Sequence, residues 1–141
     1  LSVIAACIQF VPVNRTNPPV VNAVGAPPEV DALLRRACYD CHSHETKWPW
    51  YSYVAPVSWR VASHVRVGRG DLNFSDWPAF NFREQSELFG DIREEIKDGT
   101  MPLRDYLWLH PEARLTDAEK ETILPWASVG DAGDEDHEDH P

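Results

Sequence analysis

The sequence predicts a small, mostly α-helical domain built around a single core and preceded by an extended, proline-rich segment. A length of 141 residues fits one compact domain. Four stretches place apolar residues at helical spacing and carry the start or stop signals of helices. Residues 12–28, by contrast, contain five prolines and show little periodicity, which indicates an extended strap.

The chain opens with an apolar run over residues 1–11, LSVIAACIQFV. This run has about half of the roughly 20 residues that a membrane-spanning helix needs. Three interpretations stay open: the end of a membrane anchor, part of a signal segment in which Cys7 carries a lipid, and a buried N-terminal segment. We interpret residues 1–11 as the end of a membrane anchor or signal segment, and residues 12–27 as a proline-rich linker.

The main body of the domain is predicted over residues 28–130. Its first helix runs from about residue 28 to 37, has a proline at its start and delivers Cys38 at its end. A second helix is expected from about residue 56 to 67, with the glycines at 68 and 70 as its stop.

Two further helices are marked by capping residues. Asn81, with a glutamate three residues later, resembles an N-terminal cap, and Gly99 ends the helix that follows. The last helix starts at Thr116, for which Glu119 completes a capping box. Pro125 inside this helix predicts a kink or an early end.

Charge is unevenly distributed along the chain. The formal net charge is -10, but residues 131–141 hold six acidic residues and no lysine or arginine. The rest of the chain has 17 acidic against 13 basic residues and is only mildly acidic. Such a body lacks the basic patch that nucleic-acid binding requires. We therefore expect no nucleic-acid partner, and a disordered acidic tail over residues 131–141.

The stretch that organises the domain is Cys38-Tyr39-Asp40-Cys41-His42. Two cysteines separated by two residues and followed by a histidine form the C-x-x-C-H signature of covalent haem c attachment. Each thiol adds to one vinyl group of the porphyrin, and the neighbouring imidazole becomes the proximal iron ligand.

Two other uses of such cysteines fit less well. A thioredoxin-like dithiol follows a strand, whereas a helix is predicted here, and structural zinc needs a second pair of ligands.

Several segments resemble the haem-binding domain family of single-haem c-type cytochromes. They are CYDCHSHETKWPWYSYVAPVSW at 38–59, LNFSDW at 72–77 and MPLRDYLWLHPEARLTDAE at 101–119, while IQFVPVNRTNPPV at 8–20 resembles the segment after a membrane anchor there. The resemblance implies a cytochrome c-like helical domain wrapped around one covalently attached haem. It also implies a location on the periplasmic side of a bacterial inner membrane, either anchored or exported.

The sixth iron ligand is predicted to be Met101. It is the only methionine of the chain, stands at the end of a predicted helix and precedes Pro102. Soft thioether sulfur suits a His/Met cytochrome because it favours the reduced iron, and the MPL of the family's segment agrees with this role. A single methionine is also often a core residue, and His64 in the second helix is the alternative ligand.

Further contacts to the cofactor are expected after the motif. The density of aromatic rings there predicts packing on the porphyrin, and the two haem propionates need cationic or N–H partners. Arg66 and Arg69 are additional candidates for the propionates. The predicted cofactor-binding residues outside the motif are Trp48, Trp50, Tyr51, Trp59 and Arg60.

These features together predict an electron carrier and not an enzyme. An iron with protein ligands on both faces has no open position for a substrate, so it exchanges single electrons with other redox proteins through small transient interfaces. Such partners include a membrane electron-transfer complex. The alternative is a haem-based sensor or a peroxidase-like enzyme, in which the distal side is open or weakly capped.

Overall fold

The computed structural model describes residues 2–129 and is mostly helical, as predicted. The predicted acidic tail, residues 131–141, lies outside the described residues. Within residues 2–129 the β-type pairing is one isolated bridge, between Asn22 and Asp76. Short 3₁₀ turns occur at Ile8–Phe10, Trp50–Tyr53 and Pro111–Ala113. The α-helices are α1 (Ser2–Cys7), α2 (Pro28–Ala37), α3 (Tyr39–His42), α4 (Val57–Asp71), α5 (Phe82–Asp98), α6 (Arg104–Leu109) and α7 (Asp117–Ala127).

Three of the four predicted helices have the expected ends. Helix α2 spans the predicted residues. The Asn81 side chain accepts a hydrogen bond from the backbone N–H of Glu84, and Gly99 ends α5 with a φ of 67°. The capping box of Thr116 and Glu119 at the start of α7 is also present. These caps are local bonds, which explains why sequence spacing was sufficient to predict them.

The predicted end of the second helix was wrong. Helix α4 continues through Gly68 and Gly70 to Asp71. Gly68 is buried inside α4, where its backbone packs against the motif, so the absence of a side chain permits close contact and does not end the helix. In α7, Pro125 lies inside the helix, which ends two residues later at Ala127.

The core lies between α2, α5, α7 and the loop at 72–77. Leu34 and Ile123 are fully buried, and Phe74 is 1 % exposed. Five aromatic rings cross the core in sequence, with centroid separations of 5.3, 6.3, 5.1 and 5.1 Å. This aromatic series joins the motif to the last helix. Its members are, in order, Tyr39, Phe74, Trp77, Phe89 and Trp126.

Residues 12–27, which we call the strap, cross the loop at 72–77. The backbone N–H groups of Val21 and Asn22 donate to the Ser75 carbonyl at 2.9 and 3.0 Å, and Trp77 N–H donates to the Asn22 carbonyl at 2.9 Å. The strap is therefore held against the loop at 72–77 as an extended segment.

The N-terminal helix α1 has no buried residue among Ser2–Cys7, all of which are described. The turn after it is attached to the domain through Gln9, whose side-chain amide bonds both the N–H and the carbonyl of Ala55 at 2.9 and 3.1 Å. Within residues 2–129 we find no helix with the length and apolar character required to traverse a membrane.

Candidate functional site

The motif forms a helical turn of its own, α3, directly after α2. The N–H groups of Cys41 and His42 both donate to the Cys38 carbonyl, at 3.2 and 3.0 Å. This turn places the two cysteines, three positions apart, on the same side. Both are free cysteines and half-buried. The motif thus presents two thiols and one imidazole from a single compact turn.

His42 is oriented by the backbone of α4. Its Nδ1 lies 2.9 Å from the Gly68 carbonyl oxygen and 3.1 Å from that of Leu72. Carbonyl oxygens only accept hydrogen bonds, so Nδ1 must carry the hydrogen. Nε2 is then the ring nitrogen that is left for a metal ion. This arrangement is typical of metal-binding histidines, whose second nitrogen is fixed by a backbone or carboxylate partner.

A cavity of about 690 Å³ lies against the motif. Its size falls within the range of small-molecule and cofactor sites. Cys38, Cys41, His42 and Met101 all line it, so the structure brings the two predicted attachment residues and both predicted iron ligands to one cavity. The apolar lining includes Leu34, Phe74, Ile92, Ile96, Leu103 and Leu115.

The cavity opens to solvent between α4 and α5. Four of its lining residues, two from each helix, are exposed: Val67 and Asp71 from α4, and Asp91 and Glu95 from α5. Three of these four are acidic. Among residues 2–129, no lysine or arginine lines this cavity.

Both thiols lie in surroundings that favour their neutral form. Burial raises the pKa of Cys38 to about 12, and the neighbouring Cys41 adds to this effect. Burial also raises the pKa of Cys41 to about 11, together with the negative charges of Asp40 and Asp105. In the protein without a cofactor, the two cysteines are therefore thiols and not thiolates at neutral pH.

The aromatic residues predicted to contact the cofactor lie outside the lining of the larger cavity. Trp48 donates its ring N–H to Asn17 Oδ1 at 3.3 Å. Trp50 is 78 % exposed and Trp59 39 % exposed. Tyr51 lines a smaller neighbouring pocket of about 190 Å³. Within the aromatic series of the core, the Phe74 ring stacks on Tyr39 of the motif.

The three candidate arginines have other surroundings. Arg60 also lines the smaller pocket, and its Nε donates to Asp105 Oδ2 at 3.0 Å. Arg66 is exposed on α4. Arg69 donates four hydrogen bonds, to the carbonyls of Ser43 and Thr16 and to the side chains of Asn17 and Thr46.

The smaller pocket adjoins the larger cavity and shares four lining residues with it: Asp40, Cys41, His64 and Tyr106. His64, the alternative iron ligand, therefore also faces the site. Within residues 2–129 no group of three or more His, Cys, Asp or Glu side chains converges on a point where a metal ion could bind.

Sequence reasoning missed two residues of this site. Gly68 lets α4 approach the motif and gives His42 its acceptor; a glycine within an apolar helical stretch is the signal that indicates such close packing. Tyr106 donates its hydroxyl to Asp40 Oδ2 at 2.8 Å across 66 positions of sequence. Nothing in the local pattern around Tyr106 marks that contact.

Comparison with known proteins gives one family. A model of the haem-binding domain family matches residues 3–129. No curated protein and no solved structure matches the chain significantly.

Proposed function

The chain belongs to the haem-binding domain family, and on that premise we propose that it is a c-type cytochrome that transfers single electrons between redox partners. When bound, a haem supplies an iron whose charge changes by one electron. The residues of the chain supply attachment, orientation and a largely apolar cavity. In this proposal the protein is a carrier with one haem and has no enzymatic activity.

The observation that carries the proposal is the orientation of His42. Its Nδ1 is engaged by the Gly68 carbonyl, which leaves Nε2 as the ring nitrogen available to a metal ion. Cys38 and Cys41 line the same cavity as free cysteines. Each thiol would add across a vinyl group, with sulfur bonding to the carbon next to the ring and hydrogen to the terminal carbon. This addition consumes no oxidant.

Met101 is proposed as the second iron ligand. It belongs to the connection between α5 and α6, whereas His42 is held by α3 and α4. His64 lies one turn before Gly68 on α4, the helix that orients His42. Met101 therefore comes from a segment separate from the two that hold His42, whereas His64 does not, which favours Met101 as the second ligand.

We place the domain on the periplasmic side of a bacterial inner membrane, anchored or exported. The support for this location is the family resemblance of residues 8–20 together with the chemistry of the motif, which by that resemblance is completed outside the cytoplasm. The partners would be other redox proteins, including a membrane electron-transfer complex. They would approach at the mouth of the cavity between α4 and α5, where the lining is exposed.

Mass spectrometry of the purified, denatured protein tests the attachment sites. We expect the mass of one haem to remain with the chain, and to be lost in Cys38→Ala/Cys41→Ala. Cys7→Ala is the matched control, since Cys7 is exposed on α1 and should leave the haem in place. A double variant that still holds covalent haem would refute the proposal.

Visible spectroscopy of the oxidised protein tests the second ligand. An iron–methionine bond gives a weak charge-transfer band at the red end of the spectrum. This band should vanish in Met101→Ala and persist in His64→Ala. Absence of this band from the wild-type protein, together with a changed spectrum in His64→Ala but not in Met101→Ala, would assign the sixth position to His64.

A second candidate function, a haem-based sensor or peroxidase-like enzyme, draws support from one observation. The smaller pocket shares Asp40, Cys41, His64 and Tyr106 with the cofactor cavity, so a small molecule there would lie beside the cofactor site. Carbon monoxide binding to the reduced wild-type protein would favour this function. An electron carrier with two protein ligands should bind it weakly.

A further inference from the structure

The segment that follows Met101 lacks the apolar burial that fixes most helices. None of the six residues of α6, all within the described part of the chain, is buried. Trp108 is 81 % exposed and Leu109 is 61 % exposed. Because hydrophobic stabilisation scales with apolar area removed from water, α6 gains little from it. The position of α6 must therefore depend on specific polar and ring contacts.

The central polar contact joins α6 to the motif. The Tyr106 hydroxyl donates to Oδ2 of Asp40 at 2.8 Å. Asp40 stands between the two motif cysteines, and its Oδ1 accepts from the backbone N–H of Lys47 at 2.9 Å. One carboxylate therefore connects the motif turn both to the loop after it and to α6. Partial burial, with the charge of Asp40, raises the pKa of Tyr106, so the hydroxyl keeps the proton that it donates.

Other contacts fix the Tyr106 ring independently of its hydroxyl. The ring stacks on His110, with centroids 4.4 Å apart and planes 15° apart. Nε2 of His110 lies 2.6 Å from the Tyr51 hydroxyl. Asp105, next to Tyr106, accepts from Arg60 Nε at 3.0 Å. A phenylalanine at position 106 would keep the stacking and lose only the bond to Asp40.

We propose that the hydrogen bond between Tyr106 and Asp40 is a latch that holds the loop bearing Met101 against the turn bearing His42. Met101 and Tyr106 line the same cavity and lie five positions apart, and α6 starts three residues after Met101. Asp40 lies two positions before His42. The latch thus sets the separation of the two sides of the cavity, and Tyr106 is a positioning residue. The identity of Met101 as ligand rests on the proposed function, whereas the latch itself rests on the hydrogen bond.

The test compares Tyr106→Phe with wild type and with Tyr53→Phe, all as holoproteins. Tyr53→Phe removes a hydroxyl from a ring that is 60 % exposed and lies under Arg15.

A hydrogen bond to a charged acceptor changes an equilibrium constant by about ten-fold or more. In Tyr106→Phe we therefore expect about ten-fold faster amide hydrogen exchange over residues 101–109 and about ten-fold tighter binding of added imidazole to the oxidised iron. The iron–methionine band should weaken. Tyr53→Phe should leave all three unchanged.

A second variant separates the partner's charge from its hydrogen-bonding capacity. Asp40→Asn keeps an oxygen that accepts from Tyr106, so its effect should be smaller than that of Asp40→Ala. Combined with Tyr106→Phe, Asp40→Ala should add little to the exchange rate of residues 101–109, because the bond to Tyr106 is already lost and the other Asp40 bond, from Lys47 N–H, lies outside that segment.

Unchanged exchange over residues 101–109 in Tyr106→Phe would overturn the latch, whatever the iron ligands are. Faster exchange with an unaltered band and unaltered imidazole binding would overturn its role in positioning Met101. A wild-type protein without the band would instead contradict the ligand assignment of the proposed function, and the exchange rates would then decide on the latch alone.

Discussion

The carbonyl oxygen of Gly68 lies 2.9 Å from Nδ1 of His42, and the backbone at position 68 packs directly on Cys41. A Cβ on Gly68 would lie 2.7 Å from the Cys41 carbonyl oxygen, so one of the two backbones would have to move. One glycine therefore both permits the approach of α4 to the motif and supplies the acceptor that orients the motif histidine.

Gly68→Ala should destabilise the protein by about 1 to 3 kcal/mol, the usual cost of an overpacked contact. It should also lower the fraction of chains that carry haem, because the His42 acceptor moves with α4. The control is Gly70→Ala on the same helix, where an added Cβ meets nothing within 4 Å. Alanine is the better helix former by up to about 1 kcal/mol, so this control should be at least as stable as wild type. Urea unfolding measures both, and equal stability of the two variants would contradict the packing argument.

The apoprotein should lose stability in alkaline solution. The ordinary thiol pKa is 9.0, while burial raises that of Cys38 to about 12 and that of Cys41 to about 11. Above pH 9 the unfolded chain releases protons that the folded chain keeps, so the unfolded state gains stability. The contribution of the two thiols to folding stability does not change with pH below about 9. It is lost as the pH rises from about 9 to about 12. The urea midpoint as a function of pH measures this loss.

Two comparisons isolate the cysteine part of that alkaline loss. Burial also raises the pKa of Tyr39 to about 12, with the charge of Asp31 adding to it, and this acts in the same direction. Apoprotein with Cys38→Ala/Cys41→Ala keeps the tyrosine part and should lose less stability between pH 9 and about 12. The holoprotein should resemble the double variant, since thioethers do not titrate. A holoprotein with the full alkaline loss would argue for free thiols.

Arg69→Lys should cost about 2 kcal/mol of stability. The guanidinium donates to Thr16 and Asn17 of the strap and to two residues of the loop after the motif. A lysine ammonium cannot make these four hydrogen bonds at once, because it lacks the planar set of N–H donors. The matched control is Arg66→Lys, an exposed position on the same helix, which should change stability by less than about 0.5 kcal/mol. Limited proteolysis should also cut the strap faster in the Arg69 variant alone. Equal cutting in both variants would show that Arg69 does not hold the strap.

Thr116→Ala should destabilise the protein by about 1 kcal/mol, because it removes the side-chain oxygen that accepts from the Glu119 N–H at the start of α7. Thr122→Ala in the middle of the same helix is the control. Its hydroxyl donates to the Ala118 carbonyl, and alanine has the higher helix propensity, so no loss is expected there. Thermal unfolding of the two variants checks the difference, which should have the same sign with and without haem.

The parts of the fold that sequence predicted are those fixed by short-range bonds. The cap at Asn81, the turn at Gly99 and the box at Thr116 each involve residues at most a few positions apart. The motif itself is also local, which is why the order of Cys38, Cys41 and His42 indicated a cofactor before any geometry was known.

The parts that sequence did not predict depend on which elements meet. A dense group of rings after the motif suggested contact with a cofactor. The number of rings does not show which way each side chain points, and Trp50 lies on the surface. A glycine at position 68 fits two interpretations, the end of a helix or a close contact between backbones. Only its distance to Cys41 in the structure distinguishes them. The hydrogen bond between Tyr106 and Asp40 joins residues 66 positions apart, and no periodic pattern in the sequence indicates it.

The aromatic series of the core gives the protein a built-in optical probe. Trp77 and Trp126 each lie 5.1 Å from Phe89, between ring centroids. Their ultraviolet emission will respond to loosening of α5 against α7, and an iron porphyrin nearby would quench it by energy transfer. Filling of the cavity and melting of the interior should thus change the tryptophan fluorescence without any attached dye, on top of the emission of the other four tryptophans.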